Sequence, residues 1–379
     1  MNVKWSYLGQ GIVSNPPDVR AIRGSPCKLL STQLAMGELL TSCETCEKFR
    51  PKRMSLRTVD YDYQLPDELI AQYPAEHRDQ SRLMFLDRRT HRITHHRFSD
   101  FTGLLRPEEL IVLNDTKVIP ARIRFPGINA ELLFLEQIDL VTWKCLVRPG
   151  KSFSIGRKFV IHGYAGEVIR IDDDGDRLIQ FDRPIQFEEI GEIPLPPYIT
   201  RAPEPVDRNR YQTVYASQLG AIAAPTAGLH FTQGILDRVP HEFVTLHVGV
   251  GTFKPVKTDY ITEHRLHREE FELTTTAAAR IQSAKEVLAV GTTTVRTLEA
   301  LMQRFGEIRP GKGATDIFIH PPFPFRRIDS LLTNFHLPKS TLLMLVAAFV
   351  GREFMLEAYA EAVRERYRFF SYGDCMLIR

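Results

Sequence analysis

A chain of 379 residues with 43% hydrophobic and 25% charged side chains has ordinary globular composition, which excludes a disordered protein and allows roughly two or three cores. Its net charge of +3 is unevenly spread: residues 1–53 hold 8 Lys/Arg against 4 Asp/Glu, leaving 41 against 42 in the remainder. Bulk charge therefore does not make the main body a nucleic-acid binder, and RNA contact would have to come from local patches.

Residues 1–53 show no periodic pattern and are expected to be a non-family extension, disordered or read from a misplaced start, with Met54-Ser55 as the natural beginning. Cys43-x-x-Cys46 is half a zinc or redox motif, and no second pair completes it. The five cysteines, Cys27, Cys43, Cys46, Cys145 and Cys375, are an odd set in a long chain, which favours a reducing, cytoplasmic setting over a disulfide framework. No secretory leader is expected. The apolar run Leu342 to Val350 is too short for a membrane span, which needs about 20 residues, and predicts a buried helix.

From Leu65-Pro66-Asp67-Glu68, Pro and acids mark the first turn of a short helix. Arg82 to Leu86 and Arg92 to Arg97 predict a hairpin. Arg88 to Arg97 carries four arginines and three histidines, which suits either RNA phosphates or a solvated tip. Between Glu109 and Asp182 the runs ELIVLN, ARIRFP, AELLFLEQI, VTWKCLV, KFVIHG, GEVIRID and RLIQF alternate with turn residues, predicting a small antiparallel barrel. After Ile193-Pro194-Leu195-Pro196-Pro197, strands alternate with helices, as at Glu286 to Val290 followed by a helix from Val295 to about Phe305. The expected fold class is α/β. A core from 54–121 and 200–379 carries an inserted β-barrel at 122–199.

Polar side chains at a strand's carboxyl end mark a ligand site in such folds, and Asn114, Asp115 and Thr116 stand there, with Arg122 one strand onward. Plain turn chemistry is the alternative. Thr226 to Thr232 packs small residues beside His230, either a general base or a structural histidine. His247 to Phe253 holds the Gly249-x-Gly251 turn, but Phe253-Lys254-Pro255 blocks the helix of a Rossmann fingerprint; a substrate loop or a tight turn remains. Thr292, Thr293 and Arg296 at a helix start suit a carboxylate or phosphate, with Glu299 one turn on as a hydroxyl acceptor; simple capping is the alternative. Asn334, His336, Lys339 and Ser340 crowd a strand-to-helix loop, and hydrophobic capping does not explain them. His264-x-x-His267 beside Glu263 and Glu269 raises a metal-dependent hydrolase, yet the spacing matches no zinc signature. A non-catalytic RNA-binding module is the other rival.

Taken together, these words are more specific than any one of them. From about Val59 to Leu377 the chain resembles the S-adenosylmethionine:tRNA ribosyltransferase-isomerase family of queuosine biosynthesis, through YDYQLPDELIAQYP, SRLMFLDR, LNDTKVIPAR, IPLPPYI, YQTVYA, GAIAAPTAGLHFT, HVGVGTFKPV, VGTTTVRTLEA and LTNFHLPKSTLLMLVAAFVG. Departures are the segment before Met54, a shorter stretch between Ile281 and Val287, and His320-Pro321-Pro322 and Arg268-Glu269 in place of commoner residues. The resemblance implies transfer and isomerisation of a ribosyl unit from S-adenosylmethionine to a 7-aminomethyl-7-deazaguanine base at the wobble position of tRNA, with loss of adenine and methionine. It also implies a monomer, no membrane, no metal and no cofactor, since S-adenosylmethionine is consumed. On matching positions it suggests His230 or His336 as proton shuttle, and Asp115 or Asp374 on ribose hydroxyls. The Thr292–Thr294 turn with Arg296 would receive the methionine carboxylate or a tRNA phosphate.

Overall fold

The computed structural model describes residues 56–249 and 256–379. The expectations placed on residues 1–53, on Gly251 and on 253–255 lie outside those residues.

In chain order the strands are β1 Arg82–Asp87, β2 Arg92–Arg97, β3 Glu109–Asn114, β4 Thr116–Val118, β5 Arg122–Arg124, β6 Glu131–Gln137, β7 Thr142–Arg148, β8 Lys158–Ile161, β9 Tyr164–Ile171, β10 Arg177–Phe181, β11 Gln218–Ala221, β12 His241–Leu246, β13 Glu269–Leu273, β14 Glu286–Val290, β15 Gly311–Thr315, β16 Ser330–Asn334 and β17 Cys375–Ile378. The longer helices are α1 Thr275–Ser283, α2 Thr292–Phe305, α3 Thr341–Val350 and α4 Arg352–Arg364. Among the described residues no helix is long and apolar enough to cross a membrane.

The core is a nine-stranded mixed sheet in the order β15-β13-β12-β3-β14-β16-β17-β1-β2. β3 sits inside it, and all six residues of its ELIVLN run are buried, as expected of a parallel strand covered on both faces. Because side chains alternate, Leu110 and Val112 enter one core with Val287, Ala289, Leu331 and Met376. Ile111 and Leu113 enter the other with Leu288, Val290, Leu332 and Leu377. α3, apolar almost throughout, seals the first core, and the Ser340 hydroxyl caps it by accepting from the Leu343 amide at 3.2 Å.

The strands from Arg122 to Phe181 form a second, six-stranded antiparallel sheet in the order β5-β6-β7-β10-β9-β8, with its own apolar core. None of its strands joins the nine-stranded sheet. The barrel expectation holds in part, as a curled antiparallel half-barrel sheet. β5 and β8, of three and four residues, stand at opposite ends, and β5 makes an isolated bridge from Arg122 to Glu192 instead of closing the ladder.

Direction in the core sheet prepares a site. β12, β3, β14 and β16 are parallel neighbours, so Asn114, Leu246, Val290 and Asn334 finish at one edge. β17 runs against β16 with Asn334 opposite Cys375, which returns 370–374 to that edge.

Candidate active site

At that carboxyl edge a pocket of about 70 Å³ is lined by Thr226, Thr292, Thr293, Asn334, His336 and Ser340, together with Tyr198, Phe335, Phe370 and Ser371. Among the described residues no Asp, Glu, Lys or Arg lines it. Its described walls are aromatic, amide and hydroxyl, which suits an uncharged group better than a phosphate. Tyr198 packs on Phe370 with ring centroids 4.7 Å apart, and its hydroxyl is 2.5 Å from Ser371 Oγ.

α2 points its N-terminus at this pocket. Gly291 precedes it at φ +86° and ψ 152°, a conformation open essentially to glycine alone, and offers no side-chain cap. First-turn N–H groups of a helix have no intrahelical acceptor, so they face outward here. The Thr294 hydroxyl donates back to Val290 O at 2.8 Å, and Thr293 Oγ1 accepts from Asn114 Nδ2 at 3.3 Å.

Asn334 is 2% exposed. Its Nδ2 lies 3.2 Å from Phe370 O, 3.3 Å from Asp374 O and 3.3 Å from His230 Nε2, which fixes the amide's orientation. Oδ1 is left buried without a partner among the described residues. His230 itself is 2% exposed and outside the pocket lining. Facing an NH₂ donor, its Nε2 must accept, so Nδ1–H donates to Ser81 Oγ at 2.9 Å, and Ser81 in turn donates to Arg78 O. Burial, with the charges of Arg368 and Arg78, pushes this imidazole down to about 3 and keeps it neutral. His230 therefore orients Asn334 from behind.

His336 does line the pocket, with Nε2 2.9 Å from Thr333 Oγ1. Its amide donates to the Tyr359 hydroxyl at 3.0 Å, and the Tyr63 hydroxyl donates to its carbonyl. Burial pushes it, too, down to about 3.

Other expected residues are placed elsewhere. Both Asp115 oxygens are taken by hydroxyls, Ser217 at 2.8 Å and Thr245 at 2.6 Å. Asp374 accepts the Arg82 and Arg368 amides at 2.9 and 2.8 Å, and Glu299 accepts those of Arg326, Arg327 and Ile328. Asn114 clamps β12 through Leu246, Thr116 Oγ1 meets His247 Nδ1 at 2.8 Å, and Lys339 Nζ pairs with Asp62 at 2.7 Å. Arg122 lines a separate cleft with Arg124, Arg148 and Arg201. Gly249 and Arg296 line a neighbouring cavity, so the expected grouping of Arg296 with the Thr292–Thr294 turn is split between two spaces.

Among the described residues the histidines behind the metal reading do not converge with other ligands. Among the described residues, the acids able to converge on a metal are Asp172, Asp174 and Asp176, where Lys144 Nζ already sits 2.6 Å from Asp172; His264 and His267 are not in that group. In the hairpin, Arg88 donates to Phe349 O and Asp329 O, His95 meets the Tyr367 hydroxyl, and Arg97 donates to Gln80 O, so several of its donors are engaged within the fold.

Sequence reasoning missed the aromatic walls. Tyr198 was visible within IPLPPYI, but Phe370 and Ser371 stand in a segment without a motif and reach the pocket only through the pairing of β16 with β17.

Residues 58–378 match the family described as queuosine biosynthesis protein. The S-adenosylmethionine:tRNA ribosyltransferase-isomerase of Trichlorobacter lovleyi is 48% identical over 336 residues, covering 84% of this chain and 98% of that relative. A protein of the same name from Thermotoga maritima is 47% identical over 339 residues, covering 85% and 100%. A crystal structure of S-adenosylmethionine tRNA ribosyltransferase from Thermotoga maritima covers 84% of this chain and 100% of its own, at 40% identity and a TM-score of 0.49. With a match spanning Thr58 to Ile378 and relatives nearly half identical over almost their whole length, this chain belongs to the queuosine biosynthesis protein family.

Proposed function

We propose that this protein transfers and isomerises the ribosyl moiety of S-adenosylmethionine onto the 7-aminomethyl-7-deazaguanine base of tRNA, giving epoxyqueuosine-tRNA and releasing adenine and methionine. Relatives bearing the name of that activity support the reading at 47–48% identity. The observation that carries it is the aromatic-walled pocket at the edge where four parallel strands end, uncharged among the described residues and lined by Asn334, whose buried amide oxygen has no partner among them.

In this reading the nucleoside of S-adenosylmethionine enters the pocket. Tyr198, Phe335 and Phe370 flank the adenine, and Asn334 Oδ1 accepts from its amino group. The hydroxyls of Thr226, Thr292 and Thr293 and the first-turn amides of α2 meet ring nitrogens and ribose oxygens. The sulfonium acidifies the C5′ protons, and His336, neutral and lining the pocket, accepts one. His230 keeps Asn334 in register and transfers no proton. The arginines around Arg122 contact tRNA phosphates.

The test combines the protein, S-adenosylmethionine and tRNA carrying the aminomethyl precursor, with and without a chelator, and follows free adenine and modified tRNA by mass spectrometry. Both products are expected in both arms. Absence of both while tRNA binds overturns the proposal, and loss of both only with chelator favours the metal-dependent rival.

A further inference from the structure

Beside the nucleoside pocket lies a larger cavity of about 280 Å³. The two share Leu342; Val248 and Ser340 line the first, their chain neighbours Gly249 and Thr341 the second. Arg296 stands on α2 four residues after Thr292, on the same helix face, and lines the second cavity.

Arg296 is 5% exposed. Its Nη1 pairs with Glu269, and its Nε donates to Ile317 O at 3.3 Å. Nη2 has no hydrogen-bond partner among the described residues. A buried guanidinium donor in this state is unfavourable, and its planar fork suits a carboxylate oxygen above other acceptors. Among the described residues the cavity wall is close to charge-balanced: Glu136, Asp176 and Glu269 stand against Lys144, Arg268 and Arg296, and Lys144 is already held by Asp172 and Asp176. A phosphate dianion finds little surplus positive charge in such a wall. A zwitterion, one carboxylate and one ammonium, matches it.

We infer that this cavity is the subsite for the α-amino-acid end of S-adenosylmethionine, with Arg296 Nη2 receiving the carboxylate and the acidic wall at Glu136 and Glu269 balancing the ammonium. The inference rests on the reading of the first pocket as the nucleoside site. The ligand then runs from Asn334 past Leu342 to Arg296, and the sulfonium lies between the two spaces.

Two probes separate the subsite from that reading: S-adenosylhomocysteine, which carries the amino-acid end, and 5′-deoxy-5′-methylthioadenosine, which lacks it. Dissociation constants are measured by calorimetry on wild type and Arg296→Lys, which keeps the charge beside Glu269 but loses the fork. The double variant Arg296→Met/Glu269→Gln removes both charges together, so that none is stranded in the core. Binding of S-adenosylhomocysteine is expected to weaken roughly 10- to 100-fold in both variants, while 5′-deoxy-5′-methylthioadenosine changes less than about twofold. Equal weakening of both probes, or no weakening of either, overturns the subsite and leaves the nucleoside reading in place. Wild type that binds neither probe overturns both.

Discussion

His230 and His336 are both held neutral, and their surroundings separate their roles. His336 lines the pocket, whereas His230 is enclosed behind Asn334 and reads the orientation of its amide. His336→Ala is accordingly expected to lower the single-turnover rate roughly 100-fold. His230→Ala should instead raise KM by loosening Asn334, and His230→Gln should restore part of it through its amide oxygen. A near-normal single-turnover rate in His336→Ala removes that residue from proton transfer. At this scale the sequence named Asn334, His336, Thr226, Thr292, Thr293 and Ser340, which the fold does gather. It could not sort them from Asp115, Asp374 and Glu299, because a carboxylate in a polar loop serves a ligand or the protein's own donors equally well until packing supplies the donors.

Elements were legible where the pattern is local. The hairpin, the ELIVLN strand and the apolar helix after Ser340 stand where alternation and capping put them. α2 begins at Thr292, three residues before the expected Val295, because Gly291 turns the chain and the threonine hydroxyls bond back into the first turn instead of terminating it. Gly291 is therefore the sensitive point of this element. Gly291→Ala is expected to cost about 1–3 kcal/mol in urea unfolding, because φ +86° with ψ 152° strains any Cβ. It should also weaken S-adenosylmethionine binding by tilting the first-turn amides. Wild-type stability and affinity together would show that the turn relaxes without consequence. Ladder closure was less legible than helix starts, since whether β5 meets β8 depends on strand length and curvature across the whole second sheet.

For the whole molecule, buried neutral histidines tie stability to pH. His230 and His336 titrate near 6.5 when unfolded and near 3 when folded, so the unfolded chain binds more protons between those values and stability falls as pH drops below 6.5. Each contributes a slope of up to about 1.4 kcal/mol per pH unit once below that value. Asp374 and Glu299, raised by burial, act in the opposite direction from their ordinary values of 3.8 and 4.5 upward, so they offset part of the histidine slope at the acid end of the range. Between pH 7 and 5 the histidine contribution is therefore read as the difference between wild type and a variant lacking both imidazoles. Calorimetry should show a falling Tm across that interval, with a flatter dependence in His230→Gln/His336→Gln. An unchanged slope in that variant would assign the linkage to other groups.

Residue order alone was enough for the alternation of apolar and polar positions, the caps and turns, and the family words, because each depends on neighbours within a few residues. It also identified which loops are polar without a packing reason. Folding selected among them. The β16 and β17 register sets Asn334 against Cys375 and brings Phe370 and Ser371 to the pocket, and the sheet order sets Thr292 beside them. Arg296 lines the next cavity, with one donor unpaired among the described residues. These are contacts between residues tens to hundreds of positions apart, and their energies come from desolvation and hydrogen-bond satisfaction, which exist only once the chain has closed around them.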